Sequence, residues 1–396
     1  MNRYAHIDAM RAFAVLLVVF SHAGLKFVPG GSGVTIFFAI SGFIITYLLL
    51  RERDKTGKFD VSGFYIRRFL KIAPPLILVI VLPTIVYWAL GGTLDPLDVL
   101  GQIFFFFNLR YLDSHITVLP GSHVMWSLSI EEQFYLVFAI LWLFMVRWRN
   151  YRKALTLLGL SLILYSALSR WALFDAGASS DRIYFGTDTR LEAIAIGMLT
   201  ALWYHRYSDD EMVRGRHLAG KHYMPSGGLT RDGYTIPLLG RNWVFFTAIG
   251  VYLMTLVIRD TTFRETVRYS LQAWSASTIM LWGLVASRQP LGAAIHRFLA
   301  WRPLQLIGLS SYSIYLVHDV LFKAIEGHLQ DLPLLAQVAL LVPPGLLSGV
   351  LIYLMVEVPV QRFKDRRFGA SWKQDQKPAP APADTPVVIP WNKQKS

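Results

Sequence analysis

Apolar runs close to the roughly 17–25 residues needed to cross a bilayer recur along almost the whole of this 396-residue chain. They lie near 7–27, 33–50, 72–90, 128–146, 153–172, 188–204, 242–258, 269–287, 304–324 and 334–356. A backbone in hydrocarbon must satisfy its own polar groups, so a chain patterned this way is expected to be all-α, a polytopic bundle of about ten transmembrane helices. Composition agrees: 54% of residues are hydrophobic and 16% charged, against about 25% charged in an ordinary soluble domain. The apolar segment 97–109 is too short to span and reads as re-entrant or as a buried half-helix.

Charge tests this count. With the N-terminus inside, 29 of the 39 Lys and Arg residues fall in segments on the inner side and six on the outer side, as expected when basic residues are retained in the cytoplasm. Counting 97–109 as a full span would put the basic loops 147–153 and 205–241 outside, so ten spans with both termini cytoplasmic is the better solution. The net charge of +13 then belongs to the cytoplasmic loops, and a nucleic-acid partner is not expected. The chain divides into a membrane domain, 1–358, with a long cytoplasmic loop at 205–241, and a basic, proline-rich tail, 359–396, expected to be disordered. The absence of cysteine excludes disulfides, thiol catalysis and cysteine-bound metals.

Polar residues inside the apolar runs are costly and mark candidate function. In DAMRAFAVLLVVFSHAG, residues 8–24, Arg11 and His22 are about three helical turns apart on one face, roughly 16 Å along the axis, and Asp8 shares that face. A cleavable signal peptide is the alternative reading, opposed by Asp8 and by the many later apolar runs. In FYIRRFLKIAPP, residues 64–75, Arg68 and Lys71 share a face suited to phosphates, with Arg67 directed elsewhere; basic residues flanking a span on the inside explain the same pattern. HVMWSLSIEEQFYLVF, residues 123–138, opens a span. Ser127 or Ser129 is expected to cap it, with Glu131 and Glu132 in the first turn. The added polarity of Gln133 and Tyr135 leaves a catalytic or hydroxyl-binding Glu131 equally open. In DTRLEAIAIG, residues 188–197, structural ion pairing is favoured, with Arg190 meeting a carboxylate from another helix; a polar sugar site including Asp188 is the alternative. In GLSSYSIYLVHDVLF, residues 308–322, Tyr312, Tyr315 and His318 form a stripe, joined by Ser311. His318 and Asp319 are neighbours and diverge on a helix, which is weak support for a catalytic dyad. The chain has no nucleophile elbow, phosphate-binding loop, zincin motif or dinucleotide fingerprint. An integral transferase or a transporter remains.

Taken together, IDAMRAFAVLLVVFSHAG, GVTIFFAISGFIIT, FYIRRFLKIAPP, MWSLSIEEQFYL, DTRLEAIAIG and SSYSIYLVH resemble acyltransferase family 3, the O-antigen acetylase-like membrane proteins, in the family's order from residue 7 to about 320. The resemblance implies transfer of an acyl group, commonly acetyl from acetyl-CoA, to a cell-surface carbohydrate such as O-antigen or an exopolysaccharide, at the bacterial inner membrane and without a metal. It implies His22 and Arg11 as the catalytic pair and Glu131 as the acidic position. Arg68 and Lys71 are implied at the donor, with Lys71 where the family has arginine. Asp8, Ser127, Tyr135, Asp188, Arg190, Tyr315 and His318 are candidates for the acceptor site or a pore lining. The family's optional esterase-like C-terminal domain is not expected. A transporter or flippase for a glycan or lipid-linked sugar is the competing reading. An acyltransferase acting on a small molecule or lipid is another. The oligomeric state is left open.

Overall fold

A computed structural model describes residues 5–111, 116–218, 238–286 and 289–374, with side chains placed for all of these except 209–218 and 368–374. Among the described residues there is helix and no strand. The chain opens with α1 (Ala5–His22), α2 (Gly30–Thr56) and α3 (Val61–Leu76), which runs through a π turn into α4 (Leu82–Ala89). Two short helices follow, α5 (Pro96–Ile103) and α6 (Phe107–Arg110), then α7 (Met125–Met145), α8 (Tyr151–Asp175), the short α9 (Ser180–Phe185) and α10 (Thr187–Leu218). The last part comprises α11 (Asn242–Val257), α12 (Arg268–Val285), α13 (Pro290–Leu299), α14 (Arg302–Leu309), α15 (Ser311–Ile325), α16 (Leu334–Ile352) and α17 (Val358–Gln374).

Each of the ten expected spans falls on helix, but six helices are long and apolar enough to cross a membrane: Ala5–His22, Gly30–Thr56, Val61–Ala89, Ser122–Met145, Tyr151–Asp175 and Leu334–Arg367. The chain is thus a multi-pass helical membrane protein, with six candidate spans by length and composition among the described residues. The expected 304–324 span is interrupted at Ser310, between α14 and α15. Segment 97–109 forms α5 and α6, neither long enough to span. Two boundaries differ from expectation. Helix α10 continues to Leu218, well into the expected 205–241 loop, and the expected tail begins as helix α17, entered from α16 through the π turn Tyr353–Glu357. The remainder of that loop, 219–237, and of the tail, 375–396, lie outside the described residues.

Helix α2 is central and α8 peripheral: 72% of the apolar window of α2 is buried inside the protein against 17% for α8. The centre is built on close backbone approach. A Cβ on Gly42 would stand 2.0 Å from the Ile194 carbonyl oxygen, and one on Gly197 2.0 Å from that of Ala39. Only glycine lets α2 and α10 meet this closely, and without water to drive association, such van der Waals contact is what holds membrane helices together. Helix α1, with Ala9, Ala12 and Ala14 fully buried, packs against α2, α14 and α15. The turn before α7 reaches α15 through Gly121, whose φ of +81° suits glycine and whose Cβ would fall 2.3 Å from the Asp319 carbonyl oxygen. These contacts bring residues some 300 positions apart side by side.

Candidate active site

Helices α1, α2, α3, α7 and α15 enclose a cavity of about 1190 Å³. Its mouth, at the end of the bundle where α2 finishes and α3 begins, carries Arg51, Glu52, Lys55, Asp60, Arg67, Lys364 and Asp365. Its interior brings together Arg11, Arg68, Lys71, Glu131, Glu132 and Tyr135, with Ser127, Ser311, Tyr312 and Tyr315. Five of the expected site positions, Arg11, Arg68, Lys71, Glu131 and Tyr135, therefore converge from three helices, and Ser127 and Tyr315 join them.

The two adjacent carboxylates of α7 diverge, as helix geometry demands. Glu132 pairs with Arg68, whose guanidinium also lies 3.5 Å from the centroid of the Tyr135 ring. Glu131 Oε2 accepts from Ser41 Oγ at 2.7 Å and from the Tyr135 hydroxyl at 3.3 Å. Arg11 Nε donates to Ser311 Oγ at 3.1 Å. Lys71 is exposed to the cavity and among the described residues has no salt-bridge partner. It faces Arg11 and Arg68 as like charges and Glu357 and Glu131 as opposite ones. Glu357 is not among the candidates the sequence suggests, although a carboxylate at the end of the last apolar run is a signal that could mark it. It accepts from Ser313 Oγ at 2.6 Å. Arg67 diverges from Arg68, pairing with Glu52 at 3.5 Å and Asp60 at 3.6 Å, and lines the mouth of the same cavity.

The capping expectation for α7 is corrected. The helix is preceded by the 3-10 turn Ser122–Val124, which moves Glu131 and Glu132 out of the first turn. Ser127 and Ser129 turn back on the carbonyls of Val124 and Met125 instead of capping. Ser127 Oγ also shares a 2.7 Å hydrogen bond with the Tyr315 hydroxyl.

His22 does not line the cavity. It lies beyond Tyr315, against His318, whose ring centroid is 5.9 Å from that of Tyr315 and 5.1 Å from that of His22. His22 Nδ1 and His318 Nε2 are 3.0 Å apart, and Asp319 Oδ1 is 3.6 Å from the same His22 nitrogen. The groups that stand against His22 are thus His318 and Asp319, while Glu131 lies in the cavity with Ser41 and Tyr135. The His22 side chain is 37% exposed, whereas His318 is fully buried. Nearby, the Tyr111 hydroxyl lies 2.5 Å from His123 Nδ1. Burial and the charges of Asp319 and Asp181 push the Tyr111 phenol above its ordinary range.

Asp188 and Arg190 are not brought to the cavity, nor does Asp8 line it. Asp188 is held by both guanidinium nitrogens of Arg182, at 2.8 and 2.7 Å. Glu192 pairs with the buried Arg170 of α8, which also donates to the carbonyls of Thr266 and Thr189 and to Ser270. Among the described residues, Arg190 does not meet a carboxylate. It donates to Thr35 Oγ1 at 3.2 Å and lies against the rings of Tyr269, Tyr184 and Phe38, at 4.1, 5.2 and 5.7 Å.

Comparison with known proteins bears on what such a bundle does. The profile of the acyltransferase domain family matches residues 4–354. The chain is 26% identical over 369 residues to the O-acetyltransferase OatA of Staphylococcus aureus strain NCTC 8325, covering 90% of this chain and 57% of that protein, and the OatA of strain COL matches equally. It is 33% identical over 210 residues to a protein of strain COL provisionally named as an O-acetyltransferase, covering 50% of this chain and 34% of the relative. The chain thus spans less than two thirds of the length of these relatives. No solved structure matches it. The family match runs through α1, the α3 and α7 charges and α15, the elements that build the cavity and the His22 cluster. This chain belongs to the acyltransferase domain family, acyltransferase family 3.

Proposed function

We propose that this protein is a membrane O-acyltransferase that moves an acyl group, acetyl from acetyl-CoA, to a hydroxyl of a cell-surface carbohydrate. The observation that carries the reading is the cavity holding Arg11, Arg68 and Lys71 together, a set of cations in a mostly apolar bundle that suits an anionic donor. In this reading the mouth faces the cytoplasm of a bacterium, both termini lie on that side, and the membrane is the plasma membrane. The diphosphate of coenzyme A is held by Arg68 and Lys71 through charge-assisted hydrogen bonds. Lysine in place of a second arginine keeps the charge and gives up the planar fork. The acyl thioester extends inward, past Tyr315, toward His22.

At His22 the imidazole takes the proton of the acceptor hydroxyl as that oxygen attacks the thioester carbonyl. The carbon–sulfur bond breaks, and the departing coenzyme A thiolate receives a proton. A neutral imidazole with a partly exposed ring suits this general-base task. Glu131, with Ser41 and Tyr135, and Arg11, with Ser311, are assigned to holding the donor's acyl arm. The OatA relatives carry the name O-acetyltransferase, which supports acetyl as the group moved.

The test uses purified protein, acetyl-CoA and a panel of bacterial surface glycans, with release of coenzyme A thiol as the readout. The chain has no cysteine, so every thiol that appears comes from the donor. Turnover by wild type and its loss in His22→Ala is the expected result. Absence of turnover from wild type, with glycan transport into vesicles, would replace the reading with a carrier.

A further inference from the structure

We infer that His318 and Asp319 are positioning residues that fix the His22 ring in one tautomer, with the proton on Nδ1 and the lone pair on Nε2. The inference rests on the proposed role of His22 as base and adds the groups that make it one.

The assignment follows from what each partner is able to do. His318 Nδ1 lies 3.0 Å from the carbonyl oxygen of Ile314, one turn back on α15. A carbonyl only accepts, so His318 Nδ1 carries the proton and its Nε2 carries the lone pair. That Nε2 stands 3.0 Å from His22 Nδ1. Two lone pairs would repel there, so His22 Nδ1 is the donor. The neutral His22 ring then has its basic nitrogen, Nε2, on the far edge, and no residue among those described bonds to it. His318 is fully buried, and its ring is further fixed edge-on by Phe322, 5.7 Å between centroids. It therefore holds its proton against the Ile314 carbonyl and offers His22 a fixed acceptor.

Asp319 does a second job. Its Oδ1 is 3.6 Å from His22 Nδ1, too far to displace His318 as acceptor and close enough to offset the positive charge that His22 gains when Nε2 takes a proton. The nearest cation on the same helix, Lys323, is occupied by Glu326 at 2.9 Å. The arrangement works like a base held by an orienting neighbour and a carboxylate, with the neighbour here being a second imidazole. His318 and Asp319 are adjacent on α15 and diverge, and both still reach His22. That is possible because His22 ends α1 and approaches from the side.

The experiment measures acetyl-CoA turnover, with the glycan panel, by the full-length protein in detergent and in four variants. His22→Ala tests the underlying reading. For the inference, His318→Leu removes the acceptor, His318→Gln restores an acceptor oxygen, and Asp319→Asn removes the charge. The expected result is a loss of kcat in His318→Leu of about 10-fold or more, inside the roughly 10²–10⁴ that a positioned base contributes, with KM for acetyl-CoA unchanged. His318→Gln is expected to recover most of it and Asp319→Asn to fall between. Wild-type kcat in His318→Leu, or equal loss in folded Leu and Gln variants, overturns the inference and leaves the role of His22 standing. Inactivity of wild type, or full activity of His22→Ala, overturns the reading beneath it. Nitrogen-15 spectra of wild-type protein labelled at histidine need no variant at the pair, with His22→Ala used to assign the signal. A His22 ring protonated at Nδ1 supports the inference, and one protonated at Nε2 overturns it.

Discussion

Two regions of this protein hold buried arginines and glutamates, and they treat them in opposite ways. Around α8, α9 and α10, the charges have fixed partners, Arg190 among its aromatic rings excepted. Arg170 has a carboxylate, two backbone carbonyls and a serine, and Asp188 is gripped by both arms of Arg182. In the cavity between α1, α3 and α7, Arg11 has one serine, Lys71 has no carboxylate within salt-bridge distance among the described residues, and only Arg68 is paired. Burying a charge in a membrane bundle is expensive in either place. Where the partners are complete, the charges hold helices together. Where cations outnumber their partners and face an open cavity, the arrangement suits an anion that arrives from outside. The same residue types in similarly apolar surroundings are thus separated by how completely their hydrogen-bonding capacity is already used.

That contrast can be broken by substitution. The largest effect is expected at neither cluster's arginines but at His22: His22→Ala should lower turnover by about 10²–10⁴ and leave the thermal midpoint in detergent unchanged, since its ring is partly exposed. Next is Arg170→Ala, which leaves Glu192 buried without its cation and should cost about 3–5 kcal/mol of stability, read as a lowered melting temperature and poor recovery from the membrane. Arg68→Ala should act mainly on the donor. Loss of charge-assisted hydrogen bonds worth about 1.5–3 kcal/mol raises KM for acetyl-CoA by roughly one to two orders of magnitude. Lys71→Ala should raise the same KM by about 10-fold, one such bond's worth, with no loss of stability, because this lysine holds no salt-bridge partner among the described residues. The smallest effect is expected at Arg182→Ala, about 1 kcal/mol or less for a partly exposed pair, with turnover intact. A large loss of turnover there would break the division and bring Asp188 into the acceptor site.

Much of this architecture is legible in the order of the residues. The helices follow from run length, and the cations and carboxylates of the cavity follow from where polar residues interrupt those runs. Arg68 and Lys71 fall on one face because three residues make nearly one turn. The divergence of Glu131 and Glu132 is legible for the same reason. Partner assignment is not. Arg190 reads as the mate of a carboxylate and instead rests among aromatic rings, which offer a guanidinium a favourable face without a charge. Ser127 reads as a helix cap and is instead bonded to Tyr315, because a 3-10 turn has already begun the helix. The run 359–374 reads as the start of a disordered tail, yet a polar segment can continue a helix that an apolar one has nucleated, since propagation is far cheaper than initiation.

That the chain is an all-helical membrane bundle, and which of its residues are costly enough to need a reason, are local properties. Hydrophobic length and the 3.6-residue repeat decide both, so the order of residues suffices for them. That His22 faces His318 is a property of another kind. It depends on α15 standing beside α1, with Arg11 on Ser311 and His22 on His318, so that the two helices run in the same direction across about 300 intervening residues. Such a register is set by close packing, as where Gly308, at the end of α14 just before α15, lies against the backbone of Asp8 on α1. Packing is a property of two surfaces at once, and neither surface carries it alone.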